Sequence, residues 1–206
     1  MARNPSFYGV DESGDVGRRL VIVAYSTEDI RNTHRRWLGE KKRGFAARNV
    51  NPKESFLYTV LGERQLEFSR EIYREPRTRI EKSWNDRYHE FRLRADATAL
   101  LLSRAGFADG DRAFVDSYCR CVVLRNEIAD ALGKKTGVEI FPRSIVCTLS
   151  ADLSIPVVRR ADETAYFIAQ RGIEFADKRT DITEEDIAKL HGARHKSYEQ
   201  PEDFGF

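Results

Sequence analysis

Apolar positions along the chain change their spacing several times, and each change marks an element. Residues 6–10 (SFYGV) and 19–26 (RLVIVAYS) are short runs rich in Val, Ile, Tyr and Phe, the composition of strands. The Gly14-Asp15-Val16-Gly17 segment between them predicts a β-hairpin. Residues 28–48 read as a helix followed by a loop, with Trp37 and Phe45 as apolar helix anchors, stacking on bases being the alternative. From 63 to 105 Leu66, Ile72, Tyr73, Ile80, Trp84, Tyr88, Phe91 and Leu100 to Leu102 recur at helical spacing, and Pro76 divides the run. The charges of residues 63–94 suit a solvated face laced with i,i+4 pairs. Residues 113–116 (AFVD) form a short strand. Val122, Val123, Ile128, Ala131 and Leu132 then build a helix that Gly133 is expected to stop. Residues 144–149 and 155–158 read as strand or strand-edge segments. Ala165, Ile168 and Ala169 predict a helix that begins just after Asp162, and a short last helix near 183–191 has Thr183 as N-cap and Gly192 as stop.

This order of elements implies one α/β domain, a mixed sheet covered by helices, with a right-handed crossover at 113–149. It assigns residues 1–192 to the domain and 193–206 to a polar C-terminal tail, in which no binding sequence for a protein partner is expected. Composition agrees: 206 residues with 41% hydrophobic and 33% charged positions can bury a core, which excludes a disordered chain. No apolar run is long enough for a membrane span or a secretory leader, so a cytoplasmic protein without a membrane partner is expected. Cys119, Cys121 and Cys147 are odd in number and wrongly spaced for zinc, which suits reduced, mostly buried thiols. His34, His89, His191 and His195 show no metal-ligand spacing either, since Gly192 interrupts the last pair. Ser13 has no histidine or lysine partner near it in sequence, which argues against a serine nucleophile. The C-terminal "DFGF" lacks the other motifs of a kinase.

The candidate chemistry lies in the acids. Asp11 and Glu12 follow the apolar FYGV, Asp116 follows AFV, and Asp162 follows PVVRRA. Each stands at the end of a regular element, where α/β sheets collect ligands. The plainer alternatives are water-facing hairpin acids, a strand-end Asp and a helix N-cap, with Glu163 and Asp152 as substitutes for Asp162. Carboxylates gathered in one place repel one another, and a hard divalent cation such as Mg²⁺ or Mn²⁺ relieves that repulsion. Net charge is only +2, so bulk charge does little to define a partner. The stretch 28–48 is locally basic, however. Arg35, Arg36, Lys41, Lys42 and Arg43 there, together with Ser13, Gly14, Arg18 and Arg19 beside the first acids, are candidate contacts to nucleic-acid phosphates.

"GVDESG" resembles the opening motif of type 2 ribonucleases H, "FVDSY" is similar to the segment of that family's central-strand acid, and "RRADETAYFIAQ" to that of its later acid. The resemblance covers short patches spread over most of the chain. It implies a ribonuclease H-like fold, with Asp11, Glu12, Asp116 and Asp162 as ligands of Mg²⁺ or Mn²⁺. It also implies a nuclease acting on nucleic acid: RNA, DNA or the RNA strand of an RNA–DNA hybrid. The family's Gly-Arg-Gly loop is replaced here by Asp15-Val16-Gly17, with Arg18 and Arg19 displaced. That difference motivates the alternative of a nucleic-acid-binding or scaffold module without turnover.

Overall fold

The computed structural model describes residues 4–15, 18–40, 50, 52–73, 87–117 and 121–192. Strands β1 (Phe7–Asp15), β2 (Arg19–Thr27), β3 (Glu54–Leu61), β4 (Arg112–Ser117) and β5 (Ile145–Leu149) form one sheet in the order β3-β2-β1-β4-β5. β1 pairs antiparallel with β2, and β2 with β3, while β1–β4 and β4–β5 are parallel. The expected hairpin and parallel crossover are therefore present. β3 has no counterpart in the sequence reading.

Among the described residues the helices are α1 (Glu63–Ile72), α2 (Arg87–Arg104), α3 (Cys121–Thr136), α4 (Pro156–Arg171) and α5 (Glu184–Leu190). Alternation along the strands divides the core into two layers. Tyr8, Val10, Leu20 and Ile22 pack with α2, α3 and α5 on one face, whereas Phe7, Val21, Val23, Tyr25 and Phe114 pack with α4 on the other. β2 is buried on both sides, which explains its unbroken apolar sequence.

Some boundaries differ from expectation for local reasons. The 28–40 segment has one 3-10 turn, Ile30–Thr33, and then runs extended, because Arg36 and Leu38 donate their N–H groups to the carbonyls of Ser154 and Leu153. α3 passes through Gly133 and ends before Gly137, whose φ is +71°. Residues 156–158 are helix rather than strand, since Pro156 occupies the first turn of α4, where its missing N–H costs nothing. Asp162 is consequently inside α4 and not at its start. The helix after Thr183 forms as expected, and Gly192 follows it with φ +63°. Ile80, Trp84, Pro76, Cys119, Phe45 and residues 193–206 lie outside the described residues.

α2 is not the solvated helix its charges suggested. Asp96 is buried and accepts a hydrogen bond from Tyr73 Oη (2.6 Å) and pairs with His191 Nε2 (2.7 Å), tying α1 and the end of α5 to α2. Arg92 pairs with Glu127 of α3. Cys121 and Cys147 are free and half-buried, and burial pushes the Cys147 thiol up to about 12, which keeps it protonated and inert.

The short α5 depends on its first turn. Thr183 Oγ1 accepts from Asp186 N, and Asp186 Oδ2 accepts from Thr183 N (2.9 Å) and from Arg104 (2.8 Å). Burial raises the Asp186 carboxyl, but these donors outweigh it and hold the group below its ordinary value. A depressed carboxyl stabilises the fold above its unfolded pKa of about 4, and that contribution is lost as pH falls through the lower folded value. Thr183→Ala should cost about 1 kcal/mol. Asp186→Asn should flatten the acid side of a plot of melting temperature against pH; an unchanged slope between pH 5 and 2 would count against this coupling.

Candidate metal centre

β1 and β4 pair in parallel from Phe7↔Arg112 to Val10↔Val115. Asp11 and Asp116 are the next residues on each strand, so both stand where the β1–β4 pairing ends. Asp11 is 7% exposed. Its Oδ1 accepts the N–H of Glu12 at 2.7 Å, which fixes the orientation of the carboxylate.

Asp162 reaches this point from α4. The helix can approach β1 because residue 9 is glycine: a Cβ there would lie 2.2 Å from the carbonyl oxygen of Val157. Ala161 and Ala165 continue the small, buried face of α4, and Asp162 borders it as the seventh residue of the helix.

The third acid is Asp152, 4% exposed, in the 3-10 turn Ala151–Leu153. Two features place it. Ser150 adopts the left-handed conformation (φ 51°, ψ 43°), an uncommon backbone state for a residue with a side chain. Asp116 Oδ1 accepts the N–H of Ala151 at 2.7 Å and that of Ser117 at 3.0 Å, so Asp116 positions the turn that carries Asp152.

Asp11, Asp152 and Asp162 each bring a carboxylate oxygen within 4.8 Å of the other two. An all-oxygen, all-carboxylate donor set suits a hard divalent cation such as Mg²⁺ or Mn²⁺ and not zinc or copper. The structure thus brings together Asp11 and Asp162 of the expected acids, adds Asp152, and sets Asp116 behind the Asp152 turn. Glu12 points to the opposite face of the sheet, as strand alternation requires, and forms an ion pair with Arg94 of α2. Glu12, Arg94, Asp116 and Ser117 line a pocket together with Asp11.

The cationic candidates also divide. Arg19 pairs with Glu174, Arg18 is exposed in the turn of the hairpin, and Arg35 and Arg36 are exposed. Lys41, Lys42 and Arg43 lie outside the described residues. Ser13 is half-buried. Gly14 has φ +103° and its Cβ would meet the carbonyl oxygen of Arg19 at 2.1 Å, so the hairpin backbone itself requires glycine there. Sequence reasoning missed Arg159, whose Nε donates to the carbonyl of Asp152 (3.1 Å) while its other nitrogens reach Leu38 O (3.1 Å) and Gly39 O (2.9 Å). No spacing rule exposes such a link, because it joins three separate segments.

The architecture is an α/β fold, a mixed five-stranded sheet flanked by helices, with an aspartate cluster where the β1–β4 pairing ends. Three solved structures similar to it are a point mutant of Bst-RNase HIII, the RNase HII of the PCNA:RNase HII complex from Archaeoglobus fulgidus, and the ribonuclease H2 from Pyrococcus horikoshii OT3. The first has 14% identity and a TM-score of 0.46 over 82% of this chain and 53% of its own, so this chain spans about half its length. The second has 16% identity and a TM-score of 0.48 over 91% and 90% of the two chains. The third has 14% identity and a TM-score of 0.46 over 81% and 72%. No family model and no curated protein matches the sequence. Each likeness is below 25% identity and a TM-score of 0.5, so the chemistry of the site rests on its own residues. Among the described residues no helix is long and apolar enough to cross a membrane.

Proposed function

We propose that this chain is a divalent-metal-dependent nuclease that hydrolyses phosphodiester bonds of nucleic acid, the RNA strand of an RNA–DNA hybrid being the first substrate to test. The observation that carries this reading is the meeting of Asp11 with Asp152 and Asp162, far from it in sequence, within 4.8 Å where the β1–β4 pairing ends. Asp11, Asp152 and Asp162 would hold Mg²⁺ or Mn²⁺, which when bound supplies countercharge and Lewis acidity for phosphodiester hydrolysis. The protein contributes position. Glu12 N–H fixes Asp11, Asp116 and the strained Ser150 fix Asp152, and the close contact at Gly9 fixes Asp162. Exposed Arg35 and Arg36 offer cations for phosphates on a segment bonded to the turn of Asp152.

The test is incubation of the full chain with hybrid, single-stranded and duplex oligonucleotides, with Mn²⁺, with Mg²⁺ and with EDTA. Cleavage that requires the metal is expected; absence of cleavage on every substrate would overturn the nuclease reading. A binding module without turnover is favoured by one observation, the engagement of Glu12 with Arg94 away from the aspartate trio. Salt-sensitive binding without any product is the outcome that would select it.

A further inference from the structure

Trp37 is the most exposed of the large apolar residues described, at 78%. The sequence reading expected this ring to anchor a helix, and the structure leaves it in solvent. Among the described residues no aromatic ring or cation stacks on it. Its backbone is nonetheless held. Arg36 N donates to Ser154 O at 2.8 Å and Leu38 N to Leu153 O at 3.4 Å, and Arg159 grips Leu38 O and Gly39 O. The same guanidinium holds Asp152 O, so the segment is fastened to the turn that supplies one of the three clustered carboxylates. Arg35 and Arg36 are also exposed, and among the described residues neither is paired with a carboxylate. A large aromatic held out on a braced backbone, flanked by unpaired cations, has the chemistry of a strand-binding surface: the ring offers a π-face to a base and the guanidinium groups meet phosphates.

We propose that Trp37, with Arg35 and Arg36, is a stacking platform for an unpaired base of a single-stranded nucleic-acid segment beside the aspartate cluster. The proposal rests on the nuclease reading only for the direction in which the strand runs; binding itself needs neither metal nor turnover. Arg159 is a positioning residue, since it joins the platform to Asp152 without facing a base. Nucleic acid is the occupant that this chemistry fits, because it offers a base to the exposed ring and phosphates to the exposed Arg35 and Arg36 together.

The experiment uses the full chain in EDTA with two fluorescein-labelled single-stranded DNA dodecamers, one intact and one with a central abasic site, read by fluorescence anisotropy. Trp37→Ala should weaken binding of the intact strand roughly 5- to 150-fold, the range for losing one base–aromatic stack, and Trp37→Phe should recover most of it. The preference of the wild type for the intact strand should disappear in Trp37→Ala. Arg36→Ala should lower the slope of log affinity against log salt by about one. Equal affinities of Trp37→Ala and wild type, or no binding by the wild type, would overturn the platform. So would sedimentation showing self-association lost in Trp37→Ala with oligonucleotide affinity unchanged, which would make the ring a protein contact. Because the measurement is made without metal, its failure is separable from that of the nuclease: a chain that binds through Trp37 and cuts nothing sinks only the enzyme, and a chain that cuts but ignores Trp37 sinks only the platform.

Discussion

Asp11→Asn should abolish metal-dependent cleavage while making the metal-free protein more stable. The two effects have one cause. Asp11, Asp152 and Asp162 sit within 4.8 Å of one another, and Asp11 and Asp152 are buried. At an effective dielectric constant of about 20, two unit charges at that separation repel by about 3 kcal/mol. Asparagine keeps the shape and still accepts the Glu12 N–H through its amide oxygen, but it carries no charge. Without metal the variant should therefore melt a few degrees higher than the wild type. With Mn²⁺ the order should reverse, because a ligand that binds only the native state raises its melting temperature and the variant has lost part of the site. Cleavage should fall by at least roughly 10³-fold, about 4 kcal/mol of transition-state stabilisation. Thermal melts with and without Mn²⁺, combined with the cleavage assay, measure both. A variant that responds to Mn²⁺ like the wild type, or cuts at full rate, would remove Asp11 from the site.

Gly9→Ala should force α4 away from β1 and destabilise the fold. Its Cβ would lie 2.2 Å from Val157 O, 2.3 Å from Val157 C and 2.6 Å from Val158 N. These are backbone atoms of α4, so no side-chain rotation relieves the clash and the helix has to move away from β1. Overpacking typically costs about 1–3 kcal/mol, and a rigid backbone contact should fall at about 3 kcal/mol or above. Movement of α4 also carries Asp162 away from Asp11, so the surviving folded protein should lose its thermal response to Mn²⁺ more completely than its stability alone explains. Denaturant melts and Mn²⁺ titrations measure the two losses separately. A stable Gly9→Ala protein with normal metal response would show that β1 and α4 need no such closeness to form the site.

Much of this arrangement was legible in the chain. The Val/Ile/Tyr composition of 19–26 marks a strand whatever its neighbours, and Thr183 with Asp186 marks a helix start through contacts a few residues apart. FYGVDE announced a strand that carries acids out of the core, and its burial does fall from Phe7 to Asp15. β3 escaped because Glu54, Ser55 and Thr59 dilute its apolar residues, and Glu54 is tolerated inside through Tyr25 Oη at 2.8 Å and Arg160 at 3.6 Å. IPVV suggested a strand because β-branched residues favour one, but Pro156 at the first turn and the tight seat on Gly9 make it helix. Asp152 stood in the sequence only as a substitute, since nothing local separates it from a surface aspartate. Its place depends on Asp116 accepting the N–H of Ala151, 35 residues further along the chain. Likewise, adjacent residues on one strand face opposite ways, and Arg94 determines that Glu12 has a cation for company.

Local matters can be read along the chain: which segments prefer strand or helix, where caps and glycines end them, and which segments carry acids or bases. Those choices depend on backbone preferences and neighbours within about a helical turn. Which carboxylates come together and which ring stays in water are settled by packing between distant segments. Those outcomes depend on the register of β1 with β4, on how closely α4 can approach Gly9, and on Arg159 bridging three segments, distances that no spacing along a chain contains.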